Sequence, residues 1–229
     1  MAVILTVDVV LMTILEGALH VALFKRANDP FKEAWALPGG YIHEDTDSCA
    51  ADAALRVLVS KTGIASPYLE ELRTWSGPFR DPRGWSMTDV YYALLPASEL
   101  TPAQAPGIRL VPAGDRVLRG LPFDHAEIVE AAIERVRSKS SYSSLPAFLC
   151  GDTFSIRELH AAYEAVRGEP INMSGFRRKI EEMGILEPAK GTTAALGART
   201  KGAPAQLYRL AKAFRRSLAV RARGISDTI

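Results

Sequence analysis

The sequence changes pattern once, and that change constrains the chain to two differently built halves. Strand-like and helix-like runs alternate up to a polar, serine-bearing stretch over residues 138–144; beyond it the order becomes helix, helix, short strand, short strand. Charge divides at the same place: residues 1–139 carry 14 Lys/Arg against 18 Asp/Glu, and residues 140–229 carry 14 against 8. A net −4 beside a net +6 implies modules with different partners, the second suited to an anion such as nucleic acid. The 229 residues accommodate two modules, since domains commonly run to about 100–150 residues. A content of 48% hydrophobic and 24% charged residues excludes disordered, collagen-like and disulfide-stapled chains.

Cys49 and Cys150 stand far apart with no CxxC or Cys/His grouping, which argues against a zinc site and for a reducing compartment. A cytoplasmic protein is expected. Residues 1–24 are apolar but lack a basic leading region, and Asp8, Glu16 and His20 interrupt them. They read as a strand pair turning at Glu16-Gly17, with no membrane partner.

Further along, residues 48–62 carry Ala, Leu and Val at helical spacing and stop at Gly63, a fitting C-cap. Residues 69–75 and 86–95 read as strands around a turn-rich segment, and 124–139 as an amphipathic helix. In the second half, a helix over 155–167 capped by Thr153 or Ser155, a Gly-Glu-Pro turn, a helix over 174–183 ended by Gly184, and strands near 186–187 and 205–210 follow in turn. That order is a winged helix-turn-helix. The expected organisation is a first domain over 1–138, a linker over 139–149, a winged helix over 150–210 and a basic tail over 211–229.

The segment Leu37-Pro38-Gly39-Gly40-Tyr41-Ile42, with Arg56 and Thr62-Gly63-Ile64 downstream, resembles the Nudix box, G-x5-E-x7-R-E-U-x-E-E-x-G-U. Nudix hydrolases cleave nucleoside diphosphate derivatives, using helix-borne glutamates to hold divalent metals. Arg56 and Leu58 keep their places here, but Val57, Ser60 and Lys61 occupy the three glutamate positions. Valine does not ligate, serine is a weak neutral ligand, and lysine repels a cation, so neither a metal site nor a catalytic residue is expected. Glu44, Asp45 and Asp47 compete for the earlier glutamate position because the spacing is two residues longer than the pattern. An active hydrolase carrying a DNA-binding domain is the alternative that the lost glutamates weigh against.

Lys25-Arg26, Pro30-Phe31-Lys32, Trp35, Arg80-Asp81-Pro82-Arg83-Gly84 and Tyr91-Tyr92 in the first half, with Phe154-Ser155, Glu158-Leu159, Phe176-Arg177-Arg178-Lys179-Ile180 and Leu207-Tyr208-Arg209 in the second, resemble the Nudix-related transcriptional regulators of the NrtR type. The resemblance spans roughly residues 5–210. It implies an α/β fold, an α+β Nudix-like sandwich followed by a winged helix-turn-helix. It also implies a homodimeric repressor of NAD synthesis or salvage genes, released from double-stranded operator DNA by ADP-ribose or a related nucleotide, with no cofactor.

The effector-binding candidates are Arg26, Gly39, Gly40, Lys61, Arg80, Arg83 and Trp85, with Arg80 and Arg83 favoured by their Pro/Gly loop. Basic side chains there would replace metal as counter-charge to a diphosphate. Phe31 and Trp35 are further apolar faces for which core packing is the more ordinary role. The DNA-binding candidates are Asn172, Ser174, Arg177, Arg178 and Lys179 on the second helix, and Lys190, Arg199 and Lys201 on the wing. Phe176 and Ile180 share the opposite, core-facing side. A solvated helix in a protein-interaction winged helix is the bland alternative.

Overall fold

In the computed structural model, residues 3–63, 66, 68–100, 107–192 and 205–215 are described. The chain divides into two units, Met1–Arg135 and Val136–Ile229. No helix among the described residues is long and apolar enough to cross a membrane.

The first unit is built around β1 (Ile4–Leu15), whose interior from Val7 to Thr13 is buried without interruption. A strand buried on both faces reads as a continuous apolar run rather than an alternating one. Glu16 and Gly17, both at positive φ, turn the chain into β2 (Ala18–Lys25), as the sequence suggests. β3 (Trp35–Ala36) and β4 (Gly39–Tyr41) follow, then helix α1 (Ala50–Thr62), β5 (Tyr68–Gly77), β6 (Ser86–Leu94), β7 (Ile108–Pro112) and helix α2 (His125–Ser140). The sheet runs β3-β2-β1-β6-β5, with β4 added to β1 and β7 to β2. β1 and β6 are parallel, from Ile4 opposite Ser86 to Met12 opposite Leu94, and the other pairs are antiparallel.

Val7, Val9 and Leu11 of β1 pack with Ala53, Ala54, Val57 and Leu58 of α1 in one core cluster. Asp8 is out of phase with them and points to the opposite face. α1 ends at Gly63 in the left-handed conformation, φ 73°, donating to the Val59 carbonyl. The loop before α1 is closed by Arg56, whose Nε and one Nη donate to the two oxygens of Asp47 at 2.8 and 2.6 Å; the same Nη also reaches the Tyr41 carbonyl at 2.9 Å. Of the three acids competing for that place in the sequence, Asp47 is the one Arg56 holds.

Two glycines set how closely these layers approach. A Cβ on Gly39 would lie 2.1 Å from Oδ1 of Asp8 and 3.0 Å from the Val7 carbonyl, and one on Gly40 would lie 3.1 Å from a Val57 methyl. The Gly-Gly pair is required by the β1–β4 and β4–α1 contacts, not only by a turn.

In the second unit, β8 (Phe154–Ser155), α3 (Ile156–Arg167), α4 (Met173–Met183), β9 (Leu186–Thr192) and β10 (Gln206–Leu210) form two helices and a sheet ordered β8-β10-β9. Ser155 and Glu158 make a reciprocal capping box at the start of α3, which decides between the two capping residues expected. Gly168 and Gly184 close α3 and α4 in left-handed geometry. Phe176 and Ile180 of α4 are buried with Leu159 and Tyr163 of α3, as their spacing requires.

The stretch expected as a linker is folded instead. Ser140, Ser143 and Ser144 are fully buried, and Leu145–Leu149 form a buried 3-10 turn. The hydroxyls of Ser140 and Ser143 donate to the Arg137 and Lys139 carbonyls at 2.6 and 2.7 Å, and the Ser143 carbonyl accepts from Tyr163 Oη at 2.8 Å. Serine here satisfies the last carbonyls of α2, so a polar composition is compatible with burial.

Two stability predictions follow from this packing. Gly39→Ala should lower urea stability by about 1–3 kcal/mol through overpacking, whereas Gly120→Ala, where a Cβ meets open space, should stay within about 0.5 kcal/mol. The hydrogen bonds from Arg56 hold the Asp47 carboxyl at about 2, against burial and with help from the His43 backbone. A folded-state value below the unfolded one gives stability that is present above the unfolded value and lost as pH falls through the folded one. The urea midpoint of the native protein should therefore fall more steeply than that of Asp47→Asn between about pH 4 and pH 2.

Candidate functional site

A split along one strand makes the cleft of the first unit. On one edge of β1, Met12–Leu15 pairs with β2, while Thr6–Asp8 pairs with β4. Where the two partners diverge, a cleft of about 220 Å³ opens, lined by Thr6 and Asp8 of β1, the end of β2 through Asp29, Leu37–Tyr41, and Phe123 and His125.

Six of the seven effector-binding candidates line it: Arg26, Gly39, Gly40, Lys61, Arg80 and Arg83. Trp85 does not. It sits just before β6, half exposed, with its carbonyl taken by the Ile4 N–H at 3.1 Å.

The four cations differ in what already neutralises them, and the order differs from the one the loop motif suggests. The Arg80 side chain is largely covered and bidentate to Asp124 at 2.8 and 2.9 Å, with a further bond to Ser86 Oγ at 3.2 Å. Arg83 is bidentate to Asp81 at 3.0 and 2.7 Å and also donates to the Tyr41 hydroxyl. Burial works against the Asp81 carboxylate, but Arg83 outweighs it and holds the group below its ordinary value. Both arginines thus hold the loop to the cleft wall and are committed to carboxylates.

Arg26 is held differently. Its Nε donates to the Pro30 carbonyl at 2.8 Å, one Nη faces the Asn28 carbonyl at 3.5 Å, and its guanidinium lies 4.8 Å over the Phe123 ring. Carbonyls and a ring orient a guanidinium without neutralising it. Burial, then the Arg83 charge, lowers its pKa, so an anion arriving there relieves an unfavourable field. Lys61, in the last turn of α1, is exposed, and no ion pair to it is found among the described residues.

The cleft floor is formed by residues outside the sequence candidates. Asp8 accepts from Thr88 Oγ1 at 2.8 Å and lies 3.8 Å from Arg80 and 3.6 Å from His125 Nε2. His125 Nδ1 accepts the Leu37 N–H at 3.1 Å, so the ring hydrogen sits on Nε2, toward Asp8; burial lowers the imidazole pKa. The sequence signal of this floor is Asp8 itself, an acid inside a run of apolar, largely β-branched residues.

At the three glutamate positions of the Nudix pattern, Val57 is buried against Gly40, Ser60 Oγ donates to the Val57 carbonyl at 2.8 Å, and Lys61 borders the cleft. Among the described residues, no group of three or more His, Cys, Asp or Glu is placed to hold a metal ion.

The second unit presents a separate polar face. Asn172 caps α4, its Oδ1 accepting the Gly175 N–H at 2.9 Å, and remains exposed, as does Ser174. Arg177 and Arg178 are exposed and pair with Glu181 and Glu182 one turn on, at 3.2 and 3.9 Å, whereas Lys179 is half-buried. Solvated pairs of this kind are weak and yield to a phosphate. Lys190 is exposed on β9; Arg199 and Lys201 lie outside the described residues, as does the expected basic tail from residue 216 onward.

Comparison with known proteins places these features. Residues 146–210 match the family model of the NrtR DNA-binding winged helix domain. The chain is 36% identical over 209 residues to a curated Acinetobacter baylyi protein, the ADPR responsive transcriptional repressor NtrR, covering 90% of this chain and 82% of that one. The crystal structure of Shewanella oneidensis NrtR with a 27mer DNA matches with a TM-score of 0.85 at 35% identity, over 96% of this chain and 98% of that one. The Nudix domain of the same Shewanella protein with ADP ribose matches with a TM-score of 0.53 at 39% identity, over 59% of this chain and 89% of that one. A Nudix-like α/β domain and a C-terminal winged helix, matched in one chain over most of its length, make this protein a member of the NrtR family of Nudix-related transcriptional regulators.

Proposed function

We propose that this protein is a transcriptional repressor that holds operator DNA through its winged helix and releases it when ADP-ribose or a related nucleotide enters the first-unit cleft. The observation that carries the reading is the surplus charge of that cleft. Arg26 and Lys61 face it with no ion pair to either among the described residues, while α1 offers Val57, Ser60 and Lys61 where a hydrolase would carry metal-binding glutamates. A diphosphate finds counter-charge there but no carboxylate set to bring a cation to the bond being broken. The nucleotide is therefore bound and kept, and the protein is a sensor rather than an enzyme.

On the DNA side, Arg177, Arg178 and Lys190 supply phosphate contacts, and Asn172 and Ser174 stand at the N-terminal end of α4, where base edges are reached. The related DNA-bound and ADP-ribose-bound Shewanella proteins support both halves of the reading. We take the working form to be a homodimer on a near-palindromic site, controlling genes of NAD synthesis or salvage. The nucleotide releases DNA only by preferring a conformation that binds the operator less well.

The decisive experiment is binding to the protein's own promoter DNA at fixed salt, with and without ADP-ribose, alongside a search for AMP with magnesium or manganese. Release of DNA without AMP is expected; steady AMP formation would make the protein a hydrolase. Arg26→Ala should weaken ADP-ribose binding about tenfold or more, the scale of one charge-assisted hydrogen bond, and leave ligand-free DNA affinity unchanged. Lys190→Ala should weaken DNA binding across sequences and reduce the slope of log affinity against log salt by about 1.

A further inference from the structure

The floor of the cleft holds a hydrogen-bond donor and an acceptor that face each other without bonding. A backbone N–H only donates, so His125 Nδ1, which takes the Leu37 N–H at 3.1 Å, carries no hydrogen, and the ring's single hydrogen is on Nε2. Burial, which lowers the imidazole pKa, acts in the same direction. Nε2 lies 3.6 Å from Oδ1 of Asp8, too far for a hydrogen bond between them. The other Asp8 oxygen, Oδ2, accepts from Thr88 Oγ1 at 2.8 Å and faces Arg80 at 3.8 Å, so Oδ1 has no hydrogen-bond donor among the described residues. Both side chains are buried yet line the cleft. Gly39 keeps Oδ1 open, since a Cβ there would lie 2.1 Å from that oxygen. One hydroxyl satisfies such a pair, accepting from Nε2 and donating to Oδ1.

Charge changes sign between this floor and the rim. At the floor, Asp8 and Asp124 share the one guanidinium of Arg80 and the imidazole is neutral, which leaves a net negative charge. Toward the rim, Arg83 is offset by Asp81, while Arg26 and the exposed Lys61 have no ion pair among the described residues. An ionised phosphate cannot donate to the Asp8 carboxylate and is repelled by it, whereas Arg26 and Lys61 offer it counter-charge. Phe123 is already engaged by Arg26, Phe31 and His125, but the Tyr41 ring is 49% exposed, with the Arg83 guanidinium 5.5 Å from its centroid. A nucleobase therefore suits the rim, a diphosphate the free cations, and a neutral hydroxylated group the floor.

We infer that Asp8 and His125 form a socket for a hydroxyl of the sugar carried beyond the diphosphate, so that the cleft selects a nucleoside diphosphate sugar over the bare nucleoside diphosphate. The inference rests on the reading of the first-unit cleft as the nucleotide site. A bare nucleoside diphosphate ends in a phosphate with more negative charge than the diphosphate of a sugar conjugate, and it has no hydroxyl to offer at that end. The cations by themselves favour the bare nucleotide; the floor favours the sugar. A site built to bond a hydroxyl discriminates strongly against a ligand lacking one, because its buried donor and acceptor are then left unpaired.

The test is calorimetric titration of the full-length protein with ADP-ribose and with ADP at fixed salt and pH, read as the ratio of the two affinities. The native protein should bind ADP-ribose at least about tenfold more tightly, the scale of one hydrogen bond to a charged group. His125→Asn keeps an oxygen for the Leu37 N–H but removes the donor at the floor, and Asp8→Asn removes the charge while keeping a partner for Thr88. In each variant the ratio should fall to about 1. Arg26→Ala should weaken both nucleotides and leave the ratio near its native value. Equal native affinities, or a preference for ADP-ribose that either floor variant retains in full, would overturn the inference; with both nucleotides still weakened by Arg26→Ala, the nucleotide site itself would stand. Binding of neither nucleotide to the native protein would overturn the nucleotide reading and the socket together.

Discussion

The Asp8 carboxylate organises the first unit more than any other polar group. It is buried on the face of β1 away from α1, accepts the Thr88 hydroxyl from the parallel neighbour β6, and lies near Arg80 and His125. Gly39 must lack a side chain for β4 to pass it. A buried carboxylate is tolerated only where hydrogen bonds and opposite charge compensate its lost hydration. That requirement brings together β1, β4, β6, the loop bearing Arg80 and the start of α2, and the cleft is the space left between them.

The same electrostatics sort the arginines. Arg80 and Arg83 lie in a motif-bearing loop and look from sequence like ligand-binding residues, but each is bidentate to an acid, Asp124 or Asp81. They shape the wall. Arg26 is oriented by carbonyls and the Phe123 ring, and retains its charge for whatever enters. A cation is available to a ligand in proportion to how little the protein has already compensated it. The sequence does not display that property, because the compensating acids are supplied by residues as distant as Asp124.

Much of the fold was legible from local signals. Gly63, Gly168 and Gly184 each end a helix in left-handed geometry, Glu16-Gly17 turns the first hairpin, and Ser155 with Glu158 starts α3. Those features depend on a few neighbouring residues. The short strands β3 and β4 and the parallel pairing of β1 with β6 depend on partners far along the chain, and no periodicity announces them. The glycine pair was legible as a motif, but its steric reason, the Asp8 carboxylate and the Val57 methyl, was not. Serines 140, 143 and 144 misled because composition reports polarity without saying that a hydroxyl can return its hydrogen bond to its own helix.

The buried serine segment has a practical consequence for dissecting the chain. A fragment starting at Cys150, where composition invites a cut, would lack Phe148 and Leu149 from its apolar interior and leave the Tyr163 hydroxyl without the Ser143 carbonyl. An excised reader domain therefore needs the final turns of the preceding helix to remain attached, and a protease offered this stretch in the native protein would find no extended peptide to grip.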